Sequence, residues 1–457
     1  MLLRMSAQIE RLEKRVAELE RQLSLRGKTS ATSSKPPSSD IVKPPKAKPK
    51  KGKKRKIGGQ LGHERHMRKP FKPEDIDFTI LYTPSGCPDC GGPLEDTDHE
   101  PRVVEQVEVI KRPLRVTRHE APWQRCSCCA TEVQSALPSD VVKAGLAGPR
   151  LTAIVAYLKG VCHASFSTVR KFLLNVLGVR IARSQLVKLI GKASEALDPA
   201  YAELLGALPE QPFLNVDETG HKENGTKPWT WCFRAPGFTA FVIDVSRGSQ
   251  VLKEVLGETF GGVLGADYFS AYRKYMKDGD VRVQFCMAHL IRDTRYLTTL
   301  PDKVTRNYGN RVLDRLKRLF KVLHRQDKMT EAGFERAIGR ARVDLVRTAR
   351  RAPQRSEAQN LANRFRNHEA AYFEFLTAPG VEPTNNLAEQ AIRHVVIDRK
   401  ITQGTRGPAG RRWCERIWSA IASCAQQQKS VFPVLEEAIR AHFNNEAGPS
   451  LLPCAPS

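Results

Sequence analysis

With 457 residues the chain has room for about three domains with cores of their own. Its 74 Lys and Arg against 49 Asp and Glu leave a formal net charge of +25, which points to a polyanionic partner, most often nucleic acid. No unbroken apolar run of about 18 residues argues for a membrane span.

Arg4, Glu10 and Arg11 interrupt any apolar core of a signal peptide. The expected setting is therefore a reducing cytoplasm, close to the nucleoid. There the eleven cysteines, an odd number with four in tight pairs, favour metal over disulfides.

Leu2, Met5, Ile9, Leu12, Val16, Leu19 and Leu23 recur at alternating intervals of three and four. This a/d seam predicts a parallel two-stranded coiled coil over residues 1–26 and hence a homo-oligomer. A single amphipathic helix packed on its own protein is the alternative. Residues 27–70 are rich in Ser, Pro, Gly and Lys. Nine Lys or Arg and no acid stand between Lys43 and Lys56. Such a linker buries too little to fold and binds phosphates without reading sequence.

Residues 71–138 contain the pairs Cys87/Cys90 and Cys126/Cys129, with Gly91 and Gly92 in the first turn. Two C-x-x-C knuckles joined by alternating, strand-like sequence predict a zinc ribbon, a closed structural Zn2+ site of four thiolates. Cys128 is an alternative to one partner. Residues 145–200 carry apolar residues at helical spacing, broken at Gly160 and Gly178. They fit a helix-turn-helix with Ser184 as N-cap of the recognition helix, or an ordinary helical subdomain.

"PFLNVDETGH" and "GGVLGADYFSAY" are short apolar strands ending in Asp217 and Asp267. Between them lie two further strands, "PWTWCFRA" and "TAFVIDVS", and a helix; "VRVQFCMAHLIRD" is a fifth strand running into a helix. Three antiparallel strands, a helix and further strands are the order of an RNase H-like fold, in which the ends of the first and fourth strands lie side by side. Two carboxylates held there repel, and a hard divalent cation relieves the repulsion. Glu389 is the candidate third acid for a two-metal site. Its local reading is more modest: Asn386 followed by Glu389 three residues later is a capping box.

In this order, "SSKPPSSD", the C-x-x-C pairs, "VDET", "ADYFSAY", "CMAH" and "PTNNLAEQAIR…RK" resemble the TnpC-type DDE transposases of the IS sixty-six family. The resemblance covers nearly the whole chain. It implies Asp217, Asp267 and Glu389 as catalytic acids binding Mg2+ or Mn2+. The DNA partners it implies are terminal inverted repeats and target DNA, with accessory transposition proteins alongside. Cys286 and His289 match the family's C-x-x-H, close to the active site in related enzymes, with no metal assigned to them. "IDRKITQGTRG" departs from the aromatic-rich run of many relatives after the RK pair, which puts the local contacts to DNA in doubt.

The expected architecture is multidomain α+β. A coiled coil, a basic linker, a zinc ribbon and a helix-turn-helix-like domain precede an RNase H-like catalytic domain over 210–425. The 121 residues between Asp267 and Glu389 hold a helical insertion at about 305–375, and a C-terminal helix and tail occupy 426–457. From Arg311 to Arg351 the insertion has thirteen Lys or Arg against five acids, either a DNA-gripping face or a solvated one. The rival readings are an RNase H-like nuclease or resolvase, and a DNA-binding regulator with an inactive catalytic domain.

The ribbon reading has a direct check. The purified chain is expected to hold about one zinc, and Cys87→Ser to lose it while the catalytic domain stays folded. Metal analysis without zinc, or full retention in that variant, overturns the assignment.

Overall fold

The computed structural model describes residues 71–80, 114–125 and 132–453, together with Gln8, Arg15, Ser127 and Cys129. The expected coiled coil and basic linker lie outside the described residues, as do Cys87, Cys90, Cys126 and Cys128. Two compact units divide the chain. One is Pro45–Arg118, in which the described residues include a single 3-10 turn, Pro73–Asp75. The other joins Met1–Pro44 to His119–Ser457.

The second unit opens with a small antiparallel hairpin, β1 (Trp123–Arg125) and β2 (Glu132–Gln134), which brackets the second cysteine knuckle. Five helices follow: α1 (Ser139–Ala144), α2 (Pro149–Gly160), α3 (Phe166–Leu177), α4 (Arg183–Ala196) and α5 (Asp198–Ala207). The stretch Ser139–Gly160, with mean hydropathy 1.3, is long and apolar enough to cross a membrane by length and composition alone. Here it is broken at Gly145, whose φ of 61° only glycine adopts freely. Its second half buries Ala153, Val155 and Ala156 inside the protein.

Ser165 caps α3 by accepting from the Thr168 amide at 3.1 Å. Gly178, at φ 69°, closes it. The turn into α4 is capped at Ala182 rather than Ser184, so Ser184 is already inside the helix and does no capping. Exposed Arg183, Ser184, Gln185, Val187 and Lys188 line the outer face of its first turns.

The sheet contains β3 (Phe213–Gly220), β4 (Trp229–Arg234), β5 (Thr239–Asp244), β6 (Val263–Ala266) and β7 (Arg282–Phe285) in the order β5-β4-β3-β6-β7. β5, β4 and β3 are antiparallel neighbours, whereas β6 and β7 run parallel to β3. The apolar residues Leu214, Val216, Trp231, Phe233 and Phe241 are buried on these strands. Helix α6 (Ser249–Leu256) precedes β6, α7 (Ser270–Gly279) links β6 to β7, and α8 (Met287–Leu297) leaves β7. The insertion is α9 (Lys303–Leu323), α10 (Glu331–Arg350) and α11 (Ser356–Asn367). Their apolar stripe buries Val312, Leu316, Leu319 and Leu345.

Helices α12 (Asn386–Thr402), α13 (Pro408–Gln426) and α14 (Val431–Asn444) complete the chain. They tie the helical layer to the sheet. Arg150 pairs with Glu436 at 2.8 Å, and Ile417 of α13 fills the space beside Gly160. The edge strand β5 is closed by side chains of α13: Ile243 N–H donates to Glu415 (2.7 Å), Phe241 N–H to Ser419 (2.9 Å) and Thr239 N–H to Ser423 (3.1 Å). Two strand residues advance about 6.6 Å and four helix residues about 6.0 Å, so the two series stay in step.

Each rung satisfies an amide that otherwise lacks a ladder partner. Ser419→Ala should therefore cost about 1–3 kcal/mol, the penalty for one buried orphaned donor, and expose the Phe241 amide to hydrogen exchange. Urea unfolding with exchange measured at that amide checks both effects; an unchanged midpoint would mean that the rung carries no stability.

Candidate active site

Asp217 lies inside β3, paired across to Cys232 of β4, and the strand runs on to Gly220. The expectation that this strand ends at Asp217 is thus corrected. Asp217, Glu218 and Thr219 look like the polar start of a turn, but Cys232, Trp231 and Thr230 are opposite and keep their backbones in the ladder. Asp267 is the first residue beyond β6. The parallel register Leu214↔Leu264 and Asn215↔Gly265, continued two residues, brings Asp217 level with Asp267.

Helix α12 delivers Glu389 to the same end of the sheet. Asn385, buried at its start, donates from its side chain to the Val216 carbonyl (2.7 Å) and from its backbone to Cys286 Sγ (3.1 Å). One residue thereby ties α12 to β3 and to the start of α8. The Met287 amide donates to the Pro383 carbonyl at 2.8 Å and fixes the approach. At the far end of α12 the Thr405 amide donates to the Lys222 carbonyl at 2.9 Å. There Gly404, with φ 84°, leaves no room for a side chain against Lys222.

The capping box does not form. The N-cap is Asn385, whose side chain donates to Val216 and accepts from no helix amide, and Glu389 sits one residue too deep. Glu389 turns instead to α8: Arg292 Nη2 donates to Oε1 at 3.0 Å, and His289 Nε2 lies 3.6 Å from the same oxygen. Cys286, His289 and Arg292 follow one another at steps of three, so one face of α8 meets Glu389.

The electrostatics are those of a crowded anionic site. Burial holds the Asp217 carboxyl well above the usual carboxylate range, reinforced by Glu218, Asp267 and Glu389. Burial, then Glu218, pushes Asp267 up to about 6, while the Phe269 amide, Arg247 and Arg364 pull it back. The Glu218 amide donates to Asp217 and the Phe269 amide to Asp267, both at 2.9 Å. These bonds fix one oxygen of each carboxylate.

Glu218, overlooked in the sequence, alternates to the other side of β3 and is nearly sealed from solvent. Arg247 and Tyr272 hold it, with Arg247 packed over the Trp229 and Phe269 rings. The insertion also reaches the site. Arg364 of α11 lies over Tyr268, beside Asp267, and pairs with Asp293 at 2.8 Å. A period of three on "CMAHLIR" marks Arg292 in the sequence, but no local signal marks Arg364.

The structure thus brings Asp217, Asp267 and Glu389 together, with Cys286 and His289 behind Glu389. Of the expected zinc ligands only Cys129 is described, and it is exposed. Carboxylates crowded in this way repel one another.

Residues 144–412 match the family described as Transposase IS66 family, and residues 1–69 match a family of unknown function, DUF6444. No curated protein matches the chain. The first match takes in α2 to α12, the whole five-stranded sheet, and Asp217, Asp267 and Glu389; it spans more than half of the sequence. The chain therefore belongs to the IS66 family of transposases.

Proposed function

We propose that this transposase uses Asp217, Asp267 and Glu389, on an RNase H-like domain, to hold Mg2+ or Mn2+, cut DNA at transposon ends and join the freed ends to target DNA. The observation that carries the reading is the shared register of β3 and β6, which levels Asp217 with Asp267 at the end of the sheet where α12 is pinned. The order β5-β4-β3-β6-β7, antiparallel and then parallel, supports the RNase H-like assignment.

When bound, such cations supply charge stabilisation to the attacking and leaving oxygens of an in-line displacement. The chain's own part is to hold and orient. The amides of Glu218 and Phe269 fix one oxygen of each aspartate, and Arg292, paired with Glu389, keeps it from swinging out. Water attacks the phosphodiester at the transposon end, and the 3′-hydroxyl released then attacks the target strand. No protein nucleophile takes part.

Phosphate contacts come from surface cations. Arg315, Arg318, Lys321 and Arg325 line one cleft between α9 and α10, and Arg183 and Lys188 lie on α4. Residues 2–25 pair two chains, and the ribbon cysteines hold Zn2+.

Two results test the triad. Glu389→Gln should fold and bind a labelled transposon end, yet neither nick nor join it, because a hard cation depends on the lost charge. Cleavage near the wild-type rate in Mg2+ or Mn2+ would move the third acid to Glu382 or Glu374. Cleavage without joining by the wild type would favour a nuclease.

The second result is a gain in stability. A carboxyl with a raised folded pKa stays protonated in the folded chain while the unfolded one ionises. Asp267 should therefore destabilise the metal-free protein as pH rises from about 4 to about 6. Asp267→Asn should flatten that decline and raise stability at neutral pH by about 1–3 kcal/mol. Mg2+ should stabilise the wild type and not the variant. Thermal melting against pH, with and without Mg2+, reads all three; a variant less stable than wild type at neutral pH contradicts the crowded-anion account.

A further inference from the structure

The sequence singled out C-x-x-H at Cys286 and His289 without giving it a task. In the fold, Cys286 Sγ, a His289 ring nitrogen and a Glu389 oxygen lie within 4.8 Å of one another. A filled tetrahedral site with bonds of 2.0–2.3 Å has ligand atoms roughly 3.3–3.8 Å apart, so a contraction of about one ångström would close it. We propose that Cys286, His289 and Glu389 form a second metal site, selective for Zn2+ or another thiophilic cation, that shares Glu389 with the carboxylate triad.

Three features carry the assignment. His289 is buried, 8 % exposed. Its Nδ1 has no hydrogen-bond partner, and its Nε2 faces Glu389 at 3.6 Å, too far for a hydrogen bond. A buried ring nitrogen without a partner is costly, and the imidazole is held by no hydrogen bond to Glu389 that a cation would have to break. Cys286 and His289 stand three residues apart on one face of α8, with Glu389 opposite them. The sulfur of Cys286 heads α8 and receives the Asn385 amide at 3.1 Å, a backbone donor already aimed at the atom that a soft cation would take.

Thiolate and imidazole are soft to borderline donors, which select Zn2+ over Mg2+. Cysteinate and glutamate together neutralise a dication, and three protein ligands leave a fourth position for water. On binding, the Cys286 proton passes to solvent, and Arg292, already 3.4 Å from Oε2, keeps that oxygen while the metal takes Oε1. The consequence rests on Glu389 being the third catalytic acid: Zn2+ at this site withholds it from Mg2+ and halts cleavage. The binding does not depend on that reading.

The test uses the full chain, with the N-terminal cysteines already loaded with zinc, titrated with Co2+. The wild type should take up one further Co2+ with a thiolate-to-metal charge-transfer band, and Cys286→Ser and His289→Gln should each lose that equivalent and that band. Equal uptake in all three proteins, or uptake without the band, overturns the site. Because Cys286→Ser also removes an acceptor for Asn385, melting of each variant is recorded, and His289→Gln carries the test should Cys286→Ser unfold. Zn2+ added to a Mg2+-supported cleavage reaction should inhibit the wild type far more than His289→Gln; equal inhibition overturns the proposed consequence. A chain inactive in Mg2+ alone would count against the transposition chemistry and leave the Co2+ titration decisive for the metal site.

Discussion

Asn385 is the point on which the site depends. Its side chain hooks the Val216 carbonyl, one residue before Asp217, and its backbone amide reaches the sulfur at the head of α8. The insertion separates Glu389 from the sheet in sequence, and the entropy of closing so long a loop has to be met by contacts at its mouth. A residue four positions before Glu389 that grips both neighbours fixes the helix start and its azimuth together. Were the tie lost, Arg292 and His289 would still face Glu389, but the helix would no longer be referenced to β3.

Charge is arranged around that tie with an inner and an outer ring. Asp217, Asp267 and Glu389 form the inner ring and are left partly uncompensated. Arg247 and Arg364 stand behind, engaged with Glu218 and Asp293 outside that ring, while Arg292 pairs with Glu389 itself. The arginines thus temper the repulsion without quenching it, which is what the proposed cation site would require. Stability is given up locally and recovered in the aromatic and aliphatic core that Trp231, Tyr272, Phe285 and Trp418 build under the sheet.

Much of this was legible in the chain. Apolar runs ending near acids located the strands and the two aspartates, and a helix-start signature located Glu389. Three things were not. The length of β3 was hidden because Asp217, Glu218 and Gly220 have weak strand propensity, and β4 opposite keeps them extended. The capping box was plausible locally, but Arg292, 97 residues away, offers Glu389 a charged partner that a backbone amide does not match. Arg364 could not be assigned to the site at all, since its place follows from how α11 folds back on α8. Each miss is a long-range contact overriding a correct local preference.

The rungs along β5 have a further meaning. At the opposite margin, β7 is covered by the turns at 370–376, where Gln284 exchanges hydrogen bonds with Tyr372 and Phe375. Both margins of the sheet are occupied, so a second chain cannot be recruited by adding a strand, and neither can a stray segment of an unfolded neighbour. Any association of this protein must therefore use surfaces other than the margins of this sheet. Polymerisation templated by the five-stranded sheet is thereby closed off.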